Sequence, residues 1–253
     1  VEAITAATKE EEHFHLTCEA MEKVIKPSTK AILINSPSNP TGAVLSLDEL
    51  KAIAQFAKER DLIVISDEPY ESIIYDGRKN YSIAALPDMF ERTITVNSFS
   101  KTFAMTGWRV GYAVAEEAFI NAMTVMQESL TSSVNAASQY AACVALTSPK
   151  DEVEEMRRVY EKRAELLERG LNRIKGFSFI KPEGAFYAFV NIKDTGMTSE
   201  EVSQRLIEEC QVVTTPGSAF GAAGEGYIRI SFASSSEILE EAVNRIQSVF
   251  GTK

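Results

Sequence analysis

The sequence predicts an α/β protein in which a three-layer αβα domain with a mostly parallel sheet is followed by a smaller α+β domain. Short apolar runs without polar alternation occur in the first half, which is typical of strands covered by helices on both faces. Long segments with helical periodicity dominate the second half. We place the domain boundary near residue 155, which gives domains of residues 1–155 and 156–253.

The first-half strands are predicted from four apolar runs: "KAILIN" (30–35), "LIVIS" (62–66), "TITVN" (93–97) and "RVGYAVA" (109–115). The segment "SLDELKAIAQFAKERD" lies between the first two and has one apolar face, so it predicts an amphipathic helix. Ser46 and Glu49 have the spacing of a capping box at its start.

The chain becomes helical after residue 115. Helices are predicted at 116–131, at 136–147 and from Ser148 to about Lys175, since Ser148 and Pro149 suit the N-cap and first helical position. Further elements of the smaller domain are strands at 177–180, 186–192 and 227–233 and helices at 199–210 and 235–250.

Composition excludes several classes of protein. The formal net charge is −10 without a cluster of basic residues, which argues against a nucleic-acid partner. The three cysteines are widely spaced, which favours reduced thiols in the cytoplasm over disulfides or a zinc site. No signal peptide or membrane-length apolar run is evident, and the first residue is not methionine, so we expect the chain to be part of a longer protein.

Polar residues follow three successive predicted strands: Asn39 in "NSPSNPTG", Asp67 and Tyr70 in "SDEPY", and Ser98 and Lys101 in "NSFSK". Ligands of open α/β sheets bind at the carboxyl ends of the strands, so we expect these side chains to converge on one pocket. Each residue alone also fits a structural role, as a turn residue, a cap or a core aromatic.

Pyridoxal phosphate is a cofactor that such a set of side chains can bind. A lysine amine forms an imine with its aldehyde, and a carboxylate keeps its pyridine nitrogen protonated so that the ring accepts electrons. Tyrosine and asparagine can donate to its phenolic oxygen. Ser98 and Arg109 can hold its phosphate, the arginine through a bidentate fork.

The sequence resembles the class I/II aminotransferases, the aspartate-aminotransferase-like group of fold-type-I pyridoxal-phosphate enzymes. The segments that carry the resemblance span nearly the whole chain: "NSPSNPTG", "SDEPY", "SFSKTFAMTGWRVGY", "KPEGAFYAFV" and "YIRISFA". The resemblance implies amino-group transfer between an amino acid and a 2-oxo acid with pyridoxal phosphate, in a homodimer. It does not define the side chain of the preferred amino acid.

The resemblance also implies roles for individual residues. Lys101 matches the lysine that forms the internal aldimine and moves the substrate's proton, and Asp67 matches the carboxylate at the pyridine nitrogen. Tyr70 and Asn39 match the pair at the phenolic oxygen, with Asn39 also next to the substrate.

Three further matches concern anionic groups. Ser98 and Arg109 match ligands of the phosphate, and Arg229 matches the arginine that binds the substrate α-carboxylate. Gly184 and Phe186 match a loop that closes on the substrate.

Complete members of the family have a long segment before the position that corresponds to residue 1. That segment supplies a phosphate-binding loop at a helix N-terminus, an aromatic ring on the pyridine and most dimer contacts, and no substitute is found in "GSAFGAAGEG" (217–226). We therefore expect the large domain to be incomplete and this chain by itself to be impaired.

Three alternatives to an aminotransferase remain open. A carbon–sulfur β-lyase uses the same lysine and the same ring electronics. A non-catalytic, aminotransferase-like effector-binding module of a transcription regulator also fits the motifs. A structural fragment with no ligand is the third, and it predicts no cofactor binding. Outside the motifs, His13 and His15 are predicted to be exposed on an edge strand, without a metal.

Overall fold

The computed structural model describes residues 2–253 and contains two separate sheets. The first has the order β1-β2-β3-β4, from β1 (Ala31–Asn35), β2 (Ile63–Asp67), β3 (Thr93–Ser98) and β4 (Gly111–Val114). Strands β1, β2 and β3 are parallel, and β4 runs antiparallel to β3. This mostly parallel sheet confirms the predicted fold class.

Helix α2 (Leu47–Glu59) follows the predicted pattern closely. Ser46 and Glu49 form the capping box, with the Ser46 N–H donating to Glu49 Oε2 at 2.7 Å. Its apolar face joins the core of the parallel sheet together with the short helix α1 (Cys18–Glu22). That core includes Met21, Ile34, Leu50, Ile53, Phe56, Leu62, Val64, Ile83 and Met89.

The chain after β3 forms α3 (Phe99–Thr102), α4 (Glu117–Thr131) and α5 (Ala136–Thr147). Helix α4 has no buried side chain, and α5 buries only Ser138 and Ala142. Both helices occur where the sequence predicts them. Their apolar faces are largely uncovered by residues 2–253.

The second sheet is antiparallel, with the order β5-β7-β6, from β5 (Tyr187–Asn191), β6 (Thr215–Pro216) and β7 (Tyr227–Ser231). Helices α6 (Asp151–Leu171), α7 (Ser199–Cys210) and α8 (Ser236–Phe250) complete this part of the chain. Its core is the larger of the two and also takes in Tyr70, Ile73 and Tyr75 from the segment after β2. The two cores are therefore joined by that segment.

One predicted helix start and one predicted strand are wrong. Ser148 does not begin α6: its N–H and its hydroxyl both donate to the Val144 carbonyl, at 2.9 and 2.7 Å, so it ends α5 instead. The segment 177–180 is not a strand, because the Phe179 backbone is hydrogen-bonded to the side chain of Asn172 and only Ser178 pairs with Asn191. The short strand β6 was not predicted.

Candidate functional site

The carboxyl ends of the first three strands lie side by side. Asn35 is opposite Asp67 in the register of β1 and β2, and Asp67 is opposite Val96 in β3. Asn35 Nδ2 donates to Asp67 Oδ2 at 3.0 Å and to the Asp67 carbonyl at 3.1 Å. Asn35 was not among the predicted site residues, although its position at a strand end matches theirs.

The Asp67 carboxylate is half-buried and, within residues 2–253, forms no ion pair. Burial raises the pKa of Asp67 above its usual value, because the charged form loses hydration without gaining a cation. A cationic group placed at this carboxylate would therefore be favourable.

Lys101 lies on α3, directly after β3. Ser98 is the N-cap of this short helix, and its hydroxyl accepts the Ser100 N–H at 3.1 Å. Lys101 Nζ is 5.4 Å from the centroid of the Phe186 ring and 6.0 Å from that of Tyr70. No carboxylate of the described residues pairs with this half-buried amine, and the rings of Phe186 and Tyr70 lie within reach of a cation–π contact.

Tyr70 is buried between the strand ends and the second sheet. Its hydroxyl is 3.0 Å from that of Tyr187, and its ring packs edge-on against Phe186 at 5.4 Å. Burial, together with the hydrogen bond to Tyr187, raises the pKa of Tyr70, so it remains a neutral donor at neutral pH. Tyr187 was not predicted as a site residue.

Arg229 reaches from β7 to the turn after β1. Its Nη1 donates to Asn39 Oδ1 at 2.9 Å and its Nη2 to Thr215 Oγ1 at 3.1 Å. The guanidinium lies 4.6 Å from the Tyr187 ring and 5.0 Å from the Phe220 ring. Its Nε is buried without a hydrogen-bond partner in the described part of the chain.

The turn that carries Asn39 is itself attached to the strand ends. The Asn39 N–H donates to Asn35 Oδ1 at 2.7 Å. Because the Asn35 amide also bonds Asp67, one side chain connects the carboxylate and the Asn39–Arg229 pair. Five predicted residues thus meet in one region: Asn39, Asp67, Tyr70, Lys101 and Arg229.

Arg109 lies two residues before β4, at the end of a short 3-10 helix (Thr106–Trp108), and makes no hydrogen bond to this group within the described residues. It has a left-handed backbone with φ of 52°, is exposed, and donates from Nη1 to the Thr106 carbonyl at 2.9 Å. It lines an open cavity of about 790 Å³ together with residues of α4, α5 and the connection between them, including Gln127, Thr131, Asn135 and Ser138. Ser98 is on the strand that pairs with β4, opposite Gly111.

Comparison with known proteins identifies the family. The sequence model of the aminotransferase class I and II family matches residues 1–246. The chain belongs to the class I and II aminotransferase family. It is 51% identical over 252 residues to the aromatic-amino-acid aminotransferase 2 of Thermococcus litoralis and 50% identical to an aspartate aminotransferase of Pyrococcus abyssi, in both cases over 99% of this chain.

Solved aminotransferase structures have the same fold. An aromatic aminotransferase from Pyrococcus horikoshii superimposes with a TM-score of 0.95 at 49% identity, covering 97% of this chain and 66% of the other. The aspartate aminotransferase of Thermus thermophilus with maleate gives a TM-score of 0.91 at 37% identity, covering 97% of this chain and 63% of the other. The chain spans 64% of the length of the two curated relatives.

No helix within residues 2–253 has both the length and the apolar character needed to cross a membrane.

Proposed function

We propose that the protein is a pyridoxal-phosphate-dependent aminotransferase that moves an amino group between an amino acid and a 2-oxo acid. One observation carries the proposal. A lysine amine without an anionic partner and a carboxylate without a cationic partner lie at neighbouring strand ends, beside a buried tyrosine hydroxyl. Such unpaired charges call for a ligand that offers both an aldehyde and a basic ring nitrogen.

The residues fit pyridoxal phosphate. Asp67 would hold a protonated pyridine nitrogen, which compensates the burial that now raises its pKa. Tyr70 and Asn39 would donate to the phenolic oxygen, and Ser98 and Arg109 would bind the phosphate. When bound, the cofactor supplies an electron sink for the bond that breaks at the substrate Cα.

The chain's own groups account for substrate binding and proton transfer. Arg229 binds the α-carboxylate through its guanidinium fork, which Asn39 and Thr215 orient. With the cofactor and substrate bound, Lys101 Nζ would move a proton on and off the substrate Cα as a general base and acid. The buried tyrosines and Phe186 exclude water from this side of the lysine.

The amino-acid preference is left open by the relatives. Of the two relatives described above, one is named for aromatic amino acids and the other for aspartate, and they are almost equally similar to this chain. We propose both kinds of amino acid as test substrates, with a 2-oxo acid as acceptor.

We further propose that the protein is a homodimer in the cytoplasm, with domains of residues 1–155 and 156–253. Exposed apolar side chains on α4 and α5, such as Leu130 and Tyr140, support an interface there. The three cysteines are free thiols, which suits a reducing compartment. Sedimentation at increasing protein concentration tests the dimer.

Cofactor binding is tested by titrating the purified chain with pyridoxal phosphate, following visible absorbance, and reducing with borohydride before peptide mapping. We expect the label on Lys101 alone, since this amine lies beside the proposed ring site. Lys101→Ala should lose the band, and Lys150→Ala should keep it because Lys150 lies on the exposed connection before α6. Labelling spread over surface lysines contradicts the proposal.

The reaction class is tested by product analysis in the presence of a 2-oxo acid. A new amino acid, absent with Lys101→Ala, supports amino-group transfer. Pyruvate and ammonia in its place would identify a β-eliminating enzyme instead.

A further inference from the structure

Residues 9–15, here called the strap, cross from one sheet to the other. At one end, Glu10 Oε2 accepts hydrogen bonds from the Tyr227 hydroxyl, at 3.1 Å, and from Asn191 Nδ2, so the strap is attached to β7 and β5. Directly after it, Leu16 and Cys18 pack into the core of the parallel sheet. The strap is therefore a connection between the two sheets that is separate from the segment after β2.

The strap covers the face of the second sheet on which Arg229 lies. The Phe14 ring packs edge-on against Phe189 and Tyr227, with centroids 5.6 Å away in both cases. Phe189 is opposite Arg229 in the register of β5 and β7, and Tyr227 is two residues before it on the same strand. Since side chains alternate between the two faces of a strand, these three residues project to one side.

His15 forms the other attachment of the strap. Its Nδ1 is 2.6 Å from Glu49 Oε1, at the start of α2, and its Nε2 is 2.8 Å from Glu183 Oε2, in the loop before β5. Its side chain is 16% exposed, so the predicted exposure of His15 is wrong. A sequence pattern could not reveal this, because both carboxylates are distant along the chain.

Glu183 links His15 to the turn that carries Asn39. Glu183 Oε2 also accepts the Val44 N–H at 3.0 Å, and the N–H groups of Glu183 and Gly184 both donate to the Gly42 carbonyl, at 3.0 and 2.9 Å. The same loop leads to Phe186, which faces Lys101. Movement of Glu183 would therefore displace both the turn that carries Asn39 and the loop that leads to Phe186.

The backbone of the strap is held in an unfavourable conformation. His13 and Phe14 are consecutive left-handed residues, with φ of 52° and 60°. A bulky residue such as phenylalanine rarely adopts this conformation unless its surroundings impose it. The contacts of Phe14 and His15 supply that constraint.

We propose that the strap fixes the second sheet against the parallel sheet, and that His15 is a positioning residue that holds the Glu183 loop and the Asn39–Arg229 pair in place through its two carboxylate contacts. The consequence for substrate binding rests on the proposed function. The attachment of the strap does not.

This attachment depends on charge. The hydrogen bond to Glu183, against the opposing effect of burial and with the help of Glu49, raises the pKa of His15 to about 9. Protonated His15 stabilises the fold fully below the ordinary histidine pKa of about 6.5. This stabilisation is lost as the pH rises through the raised pKa of about 9. The pKa values of Glu49 and Glu183 are lowered, because hydrogen bonds outweigh burial, so their contribution is lost only in acid.

The charged groups around His15 explain why its protonated form is favoured. Glu49 faces it from α2 and Glu183 from the loop before β5, and Arg78 Nη2 pairs with the other oxygen of Glu183 at 2.7 Å. One arginine and one protonated histidine thus balance two carboxylates. Loss of the His15 proton leaves one of the carboxylates uncompensated.

Amide hydrogen exchange at about pH 7 tests how far the effect reaches. We compare the wild type with His15→Gln and with the matched control His13→Gln, since His13 is on the same strap but exposed. With His15→Gln we expect exchange about tenfold faster in residues 9–16, 36–44 and 181–186, and no change in α8. An effect confined to residues 9–16 overturns the positioning role.

The charge requirement is tested with His15→Arg, which remains protonated and can reach both carboxylates. Urea midpoints of the wild type and of His15→Arg should agree near pH 7 and separate above pH 9, where only the wild type loses its charge. His15→Gln should be lowered near pH 7 and approach the wild type at high pH. Parallel curves for the wild type and His15→Arg overturn the charge dependence.

A final measurement uses maleate as a dicarboxylate probe of the protein loaded with pyridoxal phosphate. We expect His15→Gln to weaken maleate binding about tenfold near pH 7 and His15→Arg and His13→Gln to leave it unchanged. Unchanged binding with His15→Gln, alongside faster exchange, overturns the link to Arg229. Failure of the wild type to bind the cofactor contradicts the proposed function, and failure to bind maleate alone contradicts only a dicarboxylate preference. In either case the exchange experiment still decides the role of the strap.

Discussion

The helices before and after residue 150 all carry apolar side chains but bury them to very different extents. In α6 and α7, Leu167 and Leu206 are 2% and 0% exposed. In α4 and α5, Leu130 and Tyr140 are each 75% exposed. An apolar pattern thus predicts a helix, but the energy it contributes depends on whether another element covers it.

The aromatic side chains show the same contrast. Around the second sheet they form two sets of edge-on and stacked pairs, one that joins Phe14, Phe189 and Tyr227 and one that joins Tyr70, Phe186 and Tyr187. The Arg229 guanidinium lies over a ring of each set, Phe220 and Tyr187. On α5, Tyr140 is mostly in solvent. Buried residues of the candidate site therefore belong to the well-packed region, and the cavity beside Arg109 belongs to the open one.

The largest difference between the regions is expected from matched leucine truncations. Leu167→Ala should lower the free energy of unfolding by about 3 kcal/mol, since it removes a buried side chain and leaves a cavity. Leu130→Ala should change it by less than about 0.5 kcal/mol. Urea unfolding at low protein concentration measures both.

The Leu130 result also bears on the proposed dimer. If Leu130→Ala destabilises only at high protein concentration, an interface covers α4. Equal effects of the two truncations at every concentration would contradict the contrast between the regions.

A smaller effect is expected from removing single tyrosine hydroxyls. Tyr70→Phe should lower the free energy of unfolding by about 1.5 kcal/mol, because the buried Tyr187 hydroxyl loses its partner at 3.0 Å. Tyr140→Phe should have no measurable effect in the same urea titration, as its hydroxyl is on an exposed helix. A neutral Tyr70→Phe would mean that the Tyr187 hydroxyl is satisfied in another way.

The smallest effect concerns helix N-termini. Thr198 caps α7 in a capping box with Glu201, whereas Glu116, at the start of α4, makes no side-chain cap. Thr198→Ala should therefore cost about 1 kcal/mol and Glu116→Ala much less. Thermal unfolding resolves the two, and a greater loss with Glu116→Ala would indicate a contact of that side chain outside its own helix.

Local signals in the sequence were sufficient for most of the fold. The capping box at Ser46 and the unbroken apolar strands predicted α2 and the parallel sheet, because each depends on neighbours within a few residues. The start of α6 was predicted wrongly because Ser148 is a residue type that suits an N-cap. Its hydroxyl instead donates to the Val144 carbonyl, and this bond places Ser148 at the end of α5.

Local sequence signals also predicted part of the candidate site. Parallel strands place their carboxyl ends together, so Asp67 and Lys101 could be assigned to one edge of the sheet from order and spacing alone. The Asn39–Arg229 hydrogen bond joins residues from the two sheets, and no local pattern encodes it.

By itself, the sequence determined most of the segments that form helices and strands and which side chains stand at the ends of the parallel strands, since those depend on propensity, periodicity and capping over short distances. Only the tertiary structure decided which apolar faces are covered, that Asn35 connects Asp67 to Asn39, and that His15 is a charged bridge between α2 and the loop before β5. Burial and ion pairing depend on residues far apart in the chain, and their geometry exists only after the two sheets have packed together.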